Sequence, residues 1–184
     1  SFVQAQCTVN IQGDTIVCEG DEPTYTAQIM GPSTTLNTTT ASGNNHRGNM
    51  FDIVATNAVT ITSFDVSPMG NTTIEVYYRV GTWVGFSGSS AGWTLVTSVP
   101  ITAPGGLVNV PLATTVDIPA GQTYSFYVTS NNTSVSLNYS NGTAVGSVFS
   151  SDANISFLQG GGMDYPFTAG TGAVYQPRVW NGAI

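Results

Sequence analysis

A chain of 184 residues with 41% hydrophobic content is long enough to bury a core of ordinary domain size. Its charge is sparse and one-sided: charged residues make up 7%, with three Arg, no Lys and ten acidic residues, for a net charge of −7. This excludes nucleic acid as a partner, since three cations cannot neutralise the several phosphates such binding needs. No apolar run approaches the roughly 20 residues that cross a bilayer, so membrane insertion is not expected. With no leader-like segment and a surface wetted by Thr, Ser, Asn and Gly, the chain reads as a mature or excised segment of a secreted, cell-surface protein.

Residues 1–31 open with two short strands around a Gly13-Asp14 turn, an acidic turn from Glu19 to Pro23, and a third strand. Cys7 and Cys18, separated by ten residues, have no His or second Cys pair beside them, so a disulfide is expected rather than a zinc site. A bridge closing so short a loop would contribute roughly 2–3 kcal/mol, locally. The segment resembles the opening of immunoglobulin-like repeats in large surface proteins of the Bacteroidetes, but is too short to complete one. It is either a truncated module or a set of extra strands for the main domain. Asp14-Thr15-Ile16 is similar to an O-glycosylation acceptor of that phylum, which makes Thr15 a candidate for modification.

Gly31-Pro32-Ser33 marks a boundary, and 34–45 is a polar edge strand or linker. From Gly48 onward, strands are predicted over 50–55, 59–66, 72–80, 93–102, 107–112, 122–130, 134–139, 147–158 and 177–183. The clearest is 72–80, where Thr72, Ile74, Val76, Tyr78 and Val80 alternate with Thr73, Glu75, Tyr77 and Arg79. Side chains of a strand point to opposite faces with period two, so this is a half-buried strand with its polar face toward water or a ligand. A central position is expected for it, in a hairpin with 59–66 through Ser67-Pro68-Met69-Gly70. No sustained 3.6-residue period is present, and helix is nearly absent. The predicted fold of 32–184 is an all-β, antiparallel, jelly-roll-like β-sandwich.

Gly48-Asn-Met-Phe-Asp-Ile53, Ile118-Pro-Ala-Gly-Gln-Thr-Tyr-Ser-Phe-Tyr-Val128, the run from Tyr139 to Asn154, Tyr165-Pro-Phe167 and Pro177-Arg-Val-Trp-Asn-Gly182 resemble, in order, an uncharacterised module. That module occurs in very large secreted adhesins and gliding-motility proteins of Bacteroidetes, often carried by type IX secretion. The resemblance spans about 34–184 and implies a domain flanked by neighbouring modules in a longer chain; it brings no settled activity with it.

Catalytic supply is poor. His46 is the single histidine, in a loop-like Gly43-Asn-Asn-His-Arg-Gly48, without a nucleophile elbow. With no Lys and with both Cys expected in a bridge, common nucleophilic chemistry lacks its parts, so the chain is not expected to be an enzyme. Asp52, Asp65, Glu75, Asp117, Asp152 and Asp164 supply carboxylates for a polysaccharide-active enzyme only if two of them converge. Calcium favours oxygen-rich loops, and Asn49, Asp52, Asp152, Asn154 and Asp164 are its candidate ligands for a structural site; the plain alternative is that Asp152 and Asn154 are turn residues bonding their own backbone. Asn-x-Ser/Thr triplets at Asn37, Asn71, Asn132, Asn138, Asn141 and Asn154 follow from composition.

The stretch from Gly81 to Trp93 is the leading binding feature. It follows the 72–80 strand and holds Trp83, Phe86 and Trp93 among Gly and Ser, as a stacking platform for sugar rings or a partner protein. Against that, Trp83 and Phe86 have a competing expectation as core plugs capping the end of the sandwich, Trp93 reads as core because it begins an alternating strand, and Trp180 reads as core. Three functions are therefore carried forward: a non-catalytic adhesion module that binds a glycan or surface, a structural spacer or filament repeat with no small ligand, and an accessory or catalytic domain of a polysaccharide-active enzyme.

Overall fold

A computed structural model describes residues 8–13, 25–30, 32–103, 105–167 and 174–184. The chain divides into two compact units, Ser1–Thr35 and Leu36–Ile184. In the first, β1 (Thr8–Gly13) and β2 (Tyr25–Met30) pair antiparallel, with Thr8 opposite Met30 and Gly13 opposite Tyr25. The expected Cys7–Cys18 bridge, the strand following Gly13-Asp14 and the modification at Thr15 lie outside the described residues.

The second unit is an all-β antiparallel sandwich whose sheets do not close into a barrel. Its strands are β3 (Asn44–His46), β4 (Gly48–Ala55), β5 (Val59–Val66), β6 (Thr72–Val80), β7 (Thr94–Ile101), β8 (Val108–Ile118), β9 (Thr123–Ser130), β10 (Leu137–Asn141), β11 (Val148–Ser151), β12 (Ile155–Met163), β13 (Val174–Trp180) and β14 (Gly182–Ala183). The large sheet runs β3-β10-β13-β12-β4-β9-β6-β7, with β11 also on β12; the small sheet runs β14-β5-β8. Residues 36–38 bond to the 182–184 backbone, from Leu36 N to Ile184 O at 2.9 Å and from Thr38 N to Gly182 O at 3.0 Å.

Two expectations about β6 are corrected. It lies between β9 and β7, one strand in from the sheet edge rather than at the centre. It also makes no hairpin with β5: β5 pairs β8 and β14 in the small sheet, and residues 67–71 carry the chain across to the large one. Pro68 lacks the N–H a continuing ladder would need, and the crossing segment bonds elsewhere, with Met69 N donating to Ser136 O at 2.9 Å.

Between the sheets lies an aromatic and β-branched core. Phe51 and Ile53 of β4, Ile74 and Val76 of β6, and Phe126 and Val128 of β9 meet Phe64, Val66, Val110, Val116 and Ile118 of the small sheet. Trp180 stacks on Phe51 with centroids 5.1 Å apart and meets Phe64 edge-on at 5.7 Å. Such pairs add about 0.5–1.5 kcal/mol to the area they bury.

A three-stranded sheet cannot cover a nine-stranded one on both sides. On the outer face of the large sheet a second apolar cluster forms from Met50, Tyr127 and Met163, capped by Trp83, Trp93 and Phe167 from connections. Glycines in β12 permit this close approach. A Cβ on Gly160 would stand 1.8 Å from Met50 O, and one on Gly161 would stand 3.1 Å from the Trp83 ring. β-Strands tolerate a Gly run where another group must lie flat against the sheet.

Candidate ligand-binding face

The alternation of β6 places Glu75, Tyr77 and Arg79 on the outer face of the large sheet, where each is half-buried. The connection from β6 to β7 folds back over this face instead of projecting from it. Its anchor is Asp52. On β4, Asp52 points outward with Met50, and its register partner on β9 is Ser125. Its buried carboxylate accepts hydrogen bonds from Thr82 Oγ1 at 2.7 Å, Trp83 N at 3.1 Å and Ser125 Oγ at 2.7 Å. A buried carboxylate needs such compensation, and here two of the three donors belong to the connection.

Trp83 is 3% exposed and Trp93 9% exposed, so neither is a stacking platform; both are pegs driven into the outer-face cluster. Trp93 Nε1 donates to Phe86 O at 2.8 Å, which fixes the backbone of the one ring left outside. Phe86 is 44% exposed and so is not the core plug of its competing expectation; Val84 and Leu95 are exposed close by in the chain. The Arg79 guanidinium lies 3.6 Å from the Phe86 ring centroid and also bonds the Thr82 carbonyl. The presented feature is thus a phenylalanine backed by an arginine on a pinned loop.

Farther along β6, Tyr77 donates to Glu75 Oε2 at 2.7 Å, and Tyr165, from the connection after β12, donates to Glu75 Oε1 at 3.3 Å. Burial and then the Glu75 hydrogen bond push the Tyr77 hydroxyl well above the usual phenol range; burial and the Glu75 charge raise Tyr165. Both hydroxyls stay protonated donors. Strand alternation foretold the positions of Glu75 and Tyr77, but no local signal in the sequence links them to Tyr165 on a distant connection.

The candidate calcium ligands do not converge. Asn49 and Asp52, three apart on β4, point to opposite faces: Asn49 is buried with Nδ2 toward Gly161 O at 3.4 Å, while Asp52 is occupied beneath the loop. Asp152 and Asp164 flank opposite ends of β12, whose nine residues span roughly 26 Å at strand rise. Asp152 Oδ1 accepts from Asn154 N at 2.7 Å and Ile155 N at 2.8 Å, the turn-residue arrangement, and Asn154 Oδ1 accepts from Asn57 at 3.2 Å. Among the described residues no group of three or more His, Cys, Asp or Glu side chains comes together.

Asp164 is buried, accepts from its neighbour Tyr165 N at 2.9 Å, and lies 3.8 Å from His46 Nε2. His46 is therefore on a short strand beside β10, not in a loop, with Tyr175 edge-on at 5.1 Å. Burial lowers its pKa, opposed by Asp164 and reinforced by Arg47. Of the remaining carboxylates, Asp65 takes a hydrogen bond from Asn109 at 2.7 Å and Asp117 one from Thr60 at 2.6 Å, both on the small sheet. No protein-family model matches the chain, and no curated protein is significantly similar to it.

Proposed function

We propose that Leu36–Ile184 is a non-catalytic recognition module of a cell-surface protein, binding a glycan along the outer face of β6. The observation that carries this reading is Phe86: a large ring kept exposed on a connection that is otherwise nailed down by a buried carboxylate and two buried tryptophans. Alternate residues of a strand are about 6.7 Å apart, so Arg79 with Phe86, then Tyr77, then Glu75 with Tyr165 make a strip about 13 Å long. That length matches two or three sugar rings, with aromatic faces for stacking and hydroxyl and carboxylate groups for hydrogen bonds.

Burial of Trp83 and Trp93 favours the second reading, a structural spacer, because it removes two of the three rings from solvent. Edge-to-edge pairing of neighbouring modules is opposed by the strands at the edges: β3 has three residues, β11 four, and β7 and β8 carry Pro100 and Pro111. The test is a glycan array probed with the full chain and with Phe86→Ala, with Ca²⁺ and with chelator. The expected result is saturable binding lost in Phe86→Ala at an unchanged melting temperature. Silence of the wild-type chain in both conditions would transfer the argument to the spacer.

A further inference from the structure

We infer that the glycan taken by this face carries an anionic group, a uronate carboxylate or a sulfate ester, held by Arg79; the inference rests on the glycan-binding reading above. Arg79 is one of only three cations in the chain, and it is the one set against the presented ring. No acidic side chain of the described residues lies within ion-pair distance of it. Asp52 reaches it only through Thr82, whose hydroxyl donates to Asp52 and whose carbonyl accepts from Arg79 Nη1. Nε of Arg79 is buried without a partner, Nη1 is committed to the loop, and Nη2 bonds no described protein group. A guanidinium held by stacking and one backbone bond, with an Nη2 edge still unmatched, is built to donate to an oxyanion.

The net charge of −7 works against any polyanion at long range. At physiological salt the Debye length is about 8 Å; Glu75 stands about 13 Å along the strand from Arg79, and Asp52, about 10 Å away across β9, is buried and accepts three hydrogen bonds beneath the loop, so the local cation governs at contact. Stacking supplies the rest: the guanidinium takes one face of Phe86, and a sugar ring would stack on the other. A ligand's acid group adjacent to that ring falls within reach of Nη2. Neutral sugars can use the same ring but leave the arginine edge unmatched.

The experiment is calorimetric titration of the full chain with an oligogalacturonate, with the same oligomer after reduction of its carboxylates to alcohols, and with a sulfated dextran oligomer. Binding of the charged oligomer about tenfold or more tighter than the reduced one, a difference narrowed by salt and erased by Arg79→Gln, supports the inference. Arg79-dependent binding of the sulfated oligomer alone also supports it and identifies the group as a sulfate ester. Equal binding of the charged and reduced oligomers, insensitive to salt and to Arg79→Gln, overturns the anionic site while leaving glycan recognition in place. If none of the three binds and the neutral array is also silent, the glycan reading itself fails. Since Arg79 also holds Thr82, Arg79→Lys and a melting curve accompany Arg79→Gln, and the salt dependence of the wild-type chain needs no variant.

Discussion

Replacing Asp52 by Ala removes the acceptor for three hydrogen bonds, and the consequences differ among the donors. Ser125 Oγ keeps a second acceptor in Gly81 O at 2.5 Å, and Thr82, at the surface end of the connection, turns to water. Trp83 N is left buried with no acceptor, which costs about 1–3 kcal/mol, and loss of the charge-assisted bond from Thr82 adds about 1 kcal/mol more. The expected destabilisation is thus about 2–4 kcal/mol, equivalent to a fall of roughly 5–15 °C in melting temperature for a domain of this size. Asp52→Asn keeps one acceptor oxygen and should fall about half as far. Because Trp83 and Trp93 are held by this anchor while Trp180 sits between the sheets, acrylamide should quench tryptophan emission more strongly in Asp52→Ala before global unfolding begins. An Asp52→Ala variant that melts within about 1 °C of wild type, with unchanged quenching, would refute the view that this carboxylate pins the loop.

Gly160→Ala should abolish soluble expression or lower the melting temperature by more than any surface substitution, because its Cβ would stand 1.8 Å from a backbone oxygen of β4 that has no room to withdraw. His46 binds protons less readily folded than unfolded, so the unfolded state protonates first as pH falls below the ordinary value of 6.5. Stability should then decline from that pH until the lowered folded value is reached, and His46→Gln should flatten that part of a melting-temperature profile. Tyr77, Tyr127, Tyr139 and Tyr165 all have raised hydroxyl pKa values, burial being the first cause in each. The unfolded chain therefore ionises first above pH 10, the fold loses stability as pH rises past that value, and absorbance titration should show these phenols ionising together with unfolding.

Local pattern made some of this legible. β5 and β6 occupy the residues that alternation assigned to them, and the two faces of β6 are the apolar and polar ones expected. What escaped depends on distant partners. The run 147–158 reads as one strand but turns at Asp152, and β12 then continues through Gly160-Gly161-Gly162, residues that look like a break until the carbonyl of Met50 and the ring of Trp83 are seen against them. β8 extends past Leu112 because it accommodates a bulge, with Pro111 opposite Ser63 and Val116 opposite Ile61. Asp52 has the composition of a cation ligand, and its role as a loop anchor emerges only when Thr82 and Trp83 come back over β4. The same return buries Trp83, in keeping with its expectation as a core plug, but on the outer face of the large sheet rather than between the sheets, a place that only the distant partners Met50, Tyr127 and Met163 define.

The two faces of the large sheet explain why an exposed ring on this connection differs from an exposed ring on an ordinary loop. The inner face is covered by the small sheet and the outer face by connections that have a core of their own, Met50, Tyr127 and Met163 under Trp83, Trp93 and Phe167. A connection with its own core and a buried carboxylate loses little further freedom when a ligand docks, and that freedom is a principal cost of association. Phe86 and Arg79 are therefore presented by a support about as fixed as the strands. On the proposed glycan reading, stability and recognition would then be coupled through one residue: Asp52→Ala should lower both the melting temperature and the array signal, whereas Phe86→Ala should lower only the array signal.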